Sequence, residues 1–189
     1  KGIKEAVLRI EKAIAQQEII TVYGDYDVDG VTATTIIYRA LKMAGLEQIS
    51  TMLPNRFTDG YGMSEKLVDA AKEQSVNLVI TVDCGSNNGE IIDKLNAAGI
   101  DVVVSDHHEF SGEVPNAVAV VNPKRSETEV VLAGAGVAFT IARAMVKKGL
   151  IQAGKEKWLL DLAAIGTICD SMTLRGDNRI ICYYGFIVL

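Results

Sequence analysis

Between Tyr23 and Val31 the chain reads YGDYDVDGV, so three carboxylates, Asp25, Asp27 and Asp29, fall at alternate positions. The apolar run Ile19-Ile20-Thr21-Val22 leads directly into them. Three further segments end on similar groups: Asp83 in ITVDCGS, Asp106-His107-His108 in VVVSDHHE, and Asp170 in LLDLAAIGTICDS. Carboxylates crowded together cannot all stay ionised without compensation; some take up protons or are neutralised by cations. Aspartate oxygens with one or two imidazoles suit a hard or borderline divalent ion such as Mn2+ or Mg2+. The triple-aspartate segment holds no thiolate, which argues against a structural zinc site. The donors also outnumber what one ion needs. Two ions about 3.5–4 Å apart, sharing a bridging carboxylate, are the usual arrangement for hydrolysing phosphate esters. Each motif alone has a plainer reading. DxDxD suits a turn or a helix cap, DCGS a strand-ending turn, and Asp-His-His a satisfied surface cluster. Their common position decides between the readings, and that depends on the elements that carry them.

Short β-rich runs at 19–23, 48–53, 78–82, 101–105 and 117–121 read as strands. They are mostly apolar without alternation, as expected of strands covered on both faces. Helical patterns fill the intervals, at about 3–17, 31–44, 64–75, 87–98, 134–148 and 155–166, and Gly45, Gly99 and Gly149 follow three of them. This alternation predicts an α/β fold, a parallel sheet of about five strands with helices on both faces. Ligands in such sheets bind beyond the carboxyl ends of the strands. Every acidic cluster falls at that end, and Asp170 closes a late helix aimed at the same edge. Trp158, in an apolar helical stripe, is expected in the core.

A chain of 189 residues suffices for one sizeable domain. No stretch is long and apolar enough to span a membrane, and Lys1 to Gln17 reads as a charged amphipathic helix rather than a secretory leader. The three cysteines, Cys84, Cys169 and Cys182, form no CxxC pair; their odd number argues against a disulfide framework and predicts buried free thiols in a reducing, cytoplasmic setting. A net charge of −5 does not advertise nucleic-acid binding. Nor does it oppose it, since cation-holding carboxylates mask basic residues gathered elsewhere.

The segments YGDYDVDGVTAT, ITVDCGS, SDHHE and IGTICDSMTLRGDNR, in that order, resemble the motifs of the DHH phosphoesterases. The closer resemblance is to their RecJ-type single-stranded-DNA exonucleases, carried also by PNRFTDGYGMS, AVVNPKR and LAGAGVAF. The resemblance implies a parallel α/β domain holding two Mn2+ or Mg2+ ions. It implies Asp27, Asp29, Asp83, His107 and Asp170 as ligands, Asp25 as a ligand or close neighbour, and Asp83 as the bridge. His108 would contact the scissile phosphate or donate a proton, with Asp106 orienting the histidine pair. The implied reaction is release of 5′-mononucleotides from a 5′ end, in DNA repair and recombination. The implied partners are single-stranded DNA, a single-strand-binding protein and a helicase. Pyrophosphatases and small-oligonucleotide phosphatases of the group carry a histidine where this chain has Tyr23, which favours the nuclease reading. A non-catalytic, replication-associated relative would have eroded ligands, whereas every motif ligand is present. The chain begins without Met and lacks the family's glycine-rich second domain. Residues 1–189 are therefore expected to be a single catalytic domain, the N-terminal core of a longer protein.

Arg56 is the first choice for binding phosphate, against a plain surface pairing with Asp59. Phe57 and Tyr61 suit stacking on bases or, equally, core packing. Asn122, Lys124, Arg125, Arg175 and Arg179 are further candidates along the backbone path. Gly134 and Gly136, opening a helix, offer backbone N–H groups to a phosphate.

Overall fold

The computed structural model describes residues 1–60, 62–126 and 131–189. Five strands, β1 (Ile20–Gly24), β2 (Ile49–Met52), β3 (Leu78–Val82), β4 (Asp101–Ser105) and β5 (Ala119–Val121), pair in the order β2-β1-β3-β4-β5. Every pairing is parallel. The helices are α1 (Ile3–Gln16), α2 (Val28–Met43), α3 (Glu65–Glu73), α4 (Gly89–Ala97), α5 (Gly134–Lys148), α6 (Leu160–Cys169) and α7 (Gly176–Val188).

Alternate side chains of the central strands point to opposite faces, which divides the core in two. Leu78, Ile80 and Val82 pack with Ile20, Val22 and Val103 beneath α1, α2 and α5. Val79 packs with Val102, Val104 and Tyr23 against Leu67 and Val68 of α3 and Ile92 and Leu95 of α4. Both faces of the sheet are thus covered, as the non-alternating strands require. The chain leaves β1 towards β2 on one side and returns to β3 on the other. The crossovers therefore reverse between β1 and β3, and the crevice above that switch point is where such sheets bind ligands. Helix α6 packs on α2 and α5, and α7 on α6, bringing the end of α6 over the same crevice.

Several elements differ from expectation. Helix α2 begins at Val28, earlier than the pattern suggests, because Asp27 caps it by accepting from the Gly30 N–H at 2.9 Å. Asp29 therefore lies inside the first turn. The segment expected as one helix from 155 splits into a 3₁₀ turn, Lys155–Leu159, and α6. That turn breaks the 3.6-residue period, so Trp158 is exposed rather than in the core, with the Lys157 ammonium 5.2 Å from its ring. Cys84 and Cys182 are buried, but Cys169 is exposed at the end of α6. Helix α7 has no counterpart among the expected elements. It buries Asn178, Ile181, Cys182 and Gly185 while Tyr183, Phe186 and Ile187 face outward. No helix among the described residues is long and apolar enough to cross a membrane.

Candidate metal centre

Strand β1 ends at Gly24 and delivers Asp25, which is buried, and Asp27, which remains exposed. Asp29, in the first turn of α2, reaches across to α5, accepting from the N–H groups of Gly134 at 2.6 Å and Ala135 at 2.9 Å. The positive end of the α5 dipole thus meets an acidic side chain. Asp83 follows β3 with φ of 60°, an uncommon left-handed conformation for a residue with a side chain, fixed by its N–H donating to Ser105 O at 2.9 Å. Gly134 lets α5 start directly against it, since a Cβ at 134 would sit 2.5 Å from Asp83 Oδ1. His107 follows β4, and Asp170 caps the C-terminus of α6.

These groups converge. His107 Nε2 lies 3.1 Å from Asp83 Oδ1, 3.7 Å from Asp170 Oδ2 and 3.8 Å from Asp29 Oδ2. Three sets of donors each gather within 4.8 Å: Asp83, His107 and His108; Asp29, His107 and Asp170; and Asp25, Asp27 and Asp83. Asp83 and His107 each belong to two sets, so the donors form one continuous cluster with shared members. Burial drives the carboxyls of Asp25, Asp29 and Asp170 above the usual aspartate range. Burial, reinforced by the charges of Asp29 and Asp27, pushes Asp83 up to about 10. Asp25 Oδ1, Asp83 Oδ1 and Asp170 Oδ2 are buried and accept no hydrogen bond; for Asp83 and Asp170 the approach of His107 Nε2 offsets this in part. Buried carboxylate oxygens without donors are costly unless a cation takes them. This donor set, oxygen-rich with imidazole and no thiolate, fits divalent ions of the Mg2+ or Mn2+ kind. Cys84 is adjacent in sequence, but its buried Sγ faces Tyr23 O, 4.0 Å away.

His108 is held from behind. Asp106 Oδ1 accepts from the N–H of His107 at 2.7 Å and of His108 at 3.1 Å, and lies 2.8 Å from His108 Nδ1. Its Oδ2 accepts from the Ser86 N–H at 2.9 Å. Burial alone would raise Asp106, but the hydrogen bonds from His108 and Ser86 outweigh it and hold the carboxyl at about 2. An ionised Asp106 only accepts, so His108 Nδ1 carries the proton of that bond. The same bond raises His108 above the usual imidazole value against its partial burial.

The expected substrate contacts fare unevenly. Arg56 lies 5.5 Å from the ring of Tyr26, beside the aspartate cluster. Asp59 turns instead to Lys66 and accepts from the Asn55 N–H at 2.9 Å, so the Arg56–Asp59 pairing is not formed. Phe57 is 94% exposed, which removes the core-packing alternative. Tyr61 lies outside the described residues. Arg175 and Arg179 are exposed at the start of α7. Lys124 pairs with Glu109, and Arg125 donates from Nη1 to Val120 O at 2.7 Å, covering the edge of β5. The Gly134 N–H is spent on Asp29 rather than on a phosphate, and Gly136 is buried against Leu132. Asn122, expected on the DNA path, is buried with its amide committed to Ser86 and to the His108 carbonyl. Sequence reasoning passed over Ser86 and Tyr26, although DCGS and the interleaved GDYDVD contain them. Tyr23 is buried and donates to Gly62 O at 2.9 Å, tying the loop that carries Arg56 and Phe57 to the sheet.

A doubly covered parallel sheet with a carboxylate–imidazole cation centre above its switch point is the class that fold and site define. Residues 19–167 match the family described as "DHH family, N-terminal domain", and the chain belongs to the DHH family. It is 42% identical over 188 residues, 98% of its length, to the single-stranded-DNA-specific exonuclease RecJ of Bacillus subtilis (strain 168), of which it spans 23%. A crystal structure of exonuclease RecJ bound to manganese is similar over 99% of this chain and 48% of that one, with a TM-score of 0.92 and 35% identity. RecJ of Thermus thermophilus, in complex with Mn2+, is similar over 99% of this chain and 27% of its own, with a TM-score of 0.87 and 33% identity. The chain therefore spans less than half the length of these relatives.

Proposed function

We propose that this chain is the catalytic domain of a two-metal phosphodiester hydrolase, a 5′→3′ exonuclease on single-stranded DNA, working with Mn2+ or Mg2+. The observation that carries the reading is the continuous donor cluster sharing Asp83 and His107, with buried carboxylate oxygens that have no donor. Similarity to manganese-bound exonuclease RecJ supports the metal, and similarity to the single-stranded-DNA-specific exonuclease RecJ of Bacillus subtilis supports the substrate class. Asp25, Asp27, Asp29, Asp83, His107 and Asp170 would hold the ions, with Asp83 between them. Bound there, the ions would supply Lewis acidity to a phosphate and acidify a water to serve as nucleophile.

The chain's own residues do the rest. His108, oriented through Nδ1 by Asp106, would contact the scissile phosphate or protonate the leaving oxygen. Arg56 would bind a backbone phosphate beside the cluster. Phe57 would stack on a base, a contact that holds single strands without reading sequence. Tyr23 supports a nuclease over a small-molecule phosphatase: its hydroxyl is committed to Gly62, so position 23 supplies no ligand. Action in the cytoplasm, in DNA repair and recombination, alongside a single-strand-binding protein and a helicase, follows from the family resemblance.

End-labelled single strands incubated with this chain and Mn2+ test the reading. Release of labelled mononucleotide from the 5′ end is expected, with loss of activity in Asp83→Ala. A 3′-end product, or an Asp83→Ala variant as fast as the parent, overturns it.

A further inference from the structure

Asn122 sits at the end of β5, and its side chain is 1% exposed. Its two amide hydrogens go to different places: one to Ser86 Oγ at 2.9 Å, the other to the main-chain oxygen of His108 at 3.0 Å. Its carbonyl oxygen accepts from the Lys124 N–H at 2.9 Å, capping the 3₁₀ turn Pro123–Arg125. Ser86, in turn, donates its own N–H to Asp106 Oδ2. His108 is therefore gripped twice, at its imidazole by Asp106 and at its main chain by Asn122. Both grips meet at Ser86.

We propose that Asn122 is a positioning residue for the reaction, one that fixes His108 through its main chain and locks Asp106 through Ser86. No other side chain of this size presents two donors and one acceptor in that fork. Aspartate would keep the acceptor for the turn but lose both donors, and would set a negative charge against the His108 carbonyl. Alanine would take the partner from one buried group, Ser86 Oγ, and from two part-buried ones, the His108 carbonyl and the Lys124 N–H. Freed of this grip, the His108 segment shifts, and a displacement of about 1 Å at a reacting group costs about 100-fold in rate. Asn122 contacts none of the residues that would hold the ions, so its replacement removes no ligand.

A purely structural role, capping the turn, makes a different forecast, and Asn122→Asp separates the two because aspartate caps as well as asparagine. The kinetic arm rests on the exonuclease reading above. We expect Asn122→Asp, which buries a charge, to melt several degrees below the parent yet stay folded, to bind Mn2+ close to the parent's affinity and to keep KM within about twofold. Its kcat should fall about 10- to 100-fold. In a His108→Ala background the same substitution should cost nothing further, because the two residues act as one unit. Full kcat in Asn122→Asp, or multiplicative losses in the double variant, overturns the proposal.

A second arm does not depend on catalysis. The chain has only two histidines, so 15N-histidine labelling of the metal-free protein gives two imidazoles. The Nδ1–H signal of His108 should be protected from exchange in the parent and broadened in Asn122→Asp, with His107 unmoved. An unchanged His108 signal in Asn122→Asp overturns the proposal. If the parent releases no nucleotides, the exonuclease reading falls and this arm alone decides the role of Asn122.

Discussion

Replacing Asp83 by Asn should stabilise the metal-free protein while abolishing the activity proposed for it. Asp83 is buried, and burial together with the charges of Asp29 and Asp27 raises its carboxyl from 3.8 to about 10. Below about pH 4 the folded and unfolded chains both hold the proton. Above that the unfolded chain releases it, while the folded chain keeps it until about pH 10, so stability falls as pH rises across this window. At neutral pH the roughly three pH units above 3.8 amount to about 4 kcal/mol lost from the folded state. Asparagine has no proton to release and suits the left-handed backbone at φ 60° at least as well. After relaxation and water entry, the Asp83→Asn gain at pH 7 should be about 2–4 kcal/mol. Urea unfolding in excess EDTA measures it, at pH 7 and again near pH 5. The advantage should shrink by up to about 1.4 kcal/mol for each pH unit towards 4. An Asn variant no more stable than the parent at pH 7, or an advantage independent of pH, would refute the claim that this carboxylate is held at a cost only a cation relieves.

Mn2+ at about 100 times its dissociation constant should stabilise the parent by about 2.7 kcal/mol, read as a higher melting temperature, and Asp170→Ala should lose most of that gain. Gly134→Ala places a Cβ 2.5 Å from Asp83 Oδ1, so calorimetry should find Mn2+ binding weakened at least tenfold; parent-like affinity would contradict the close approach of α5. Phe57→Ala, at a side chain 94% exposed, should leave the melting temperature unchanged while weakening binding of a short single strand by about 1–3 kcal/mol in fluorescence anisotropy.

The sheet and the chemical edge were legible because non-alternating β-rich runs demand burial on both faces, and three of the runs lead straight into an acid or imidazole. The aspartates of the first cluster were harder to separate. Asp27 caps α2 and Asp29 binds the start of α5, yet a capping aspartate and a cation-holding one look alike in sequence. Asn122 was misplaced because its partners, Ser86 and His108, are 36 and 14 residues away. Only the pairing of β3 with β4 and of β4 with β5 brings them together. Helix α7 escaped because its buried stripe holds a single large apolar residue, Ile181, among Asn178, Cys182 and Gly185: Asn178 donates to Val131 O and Thr173 O, and Gly185 lies against Leu160 and Ala164. Hydrophobic periodicity finds large apolar faces, and here those point outward.

The most direct measurement is the anomalous difference map of a crystal soaked in Mn2+. Two peaks about 3.5–4 Å apart, one on each side of the Asp83 carboxylate and within reach of Asp27, Asp29, His107 and Asp170, are the predicted result. A map with no peak among these side chains, or with a single ion that Asp83 does not touch, would contradict the account.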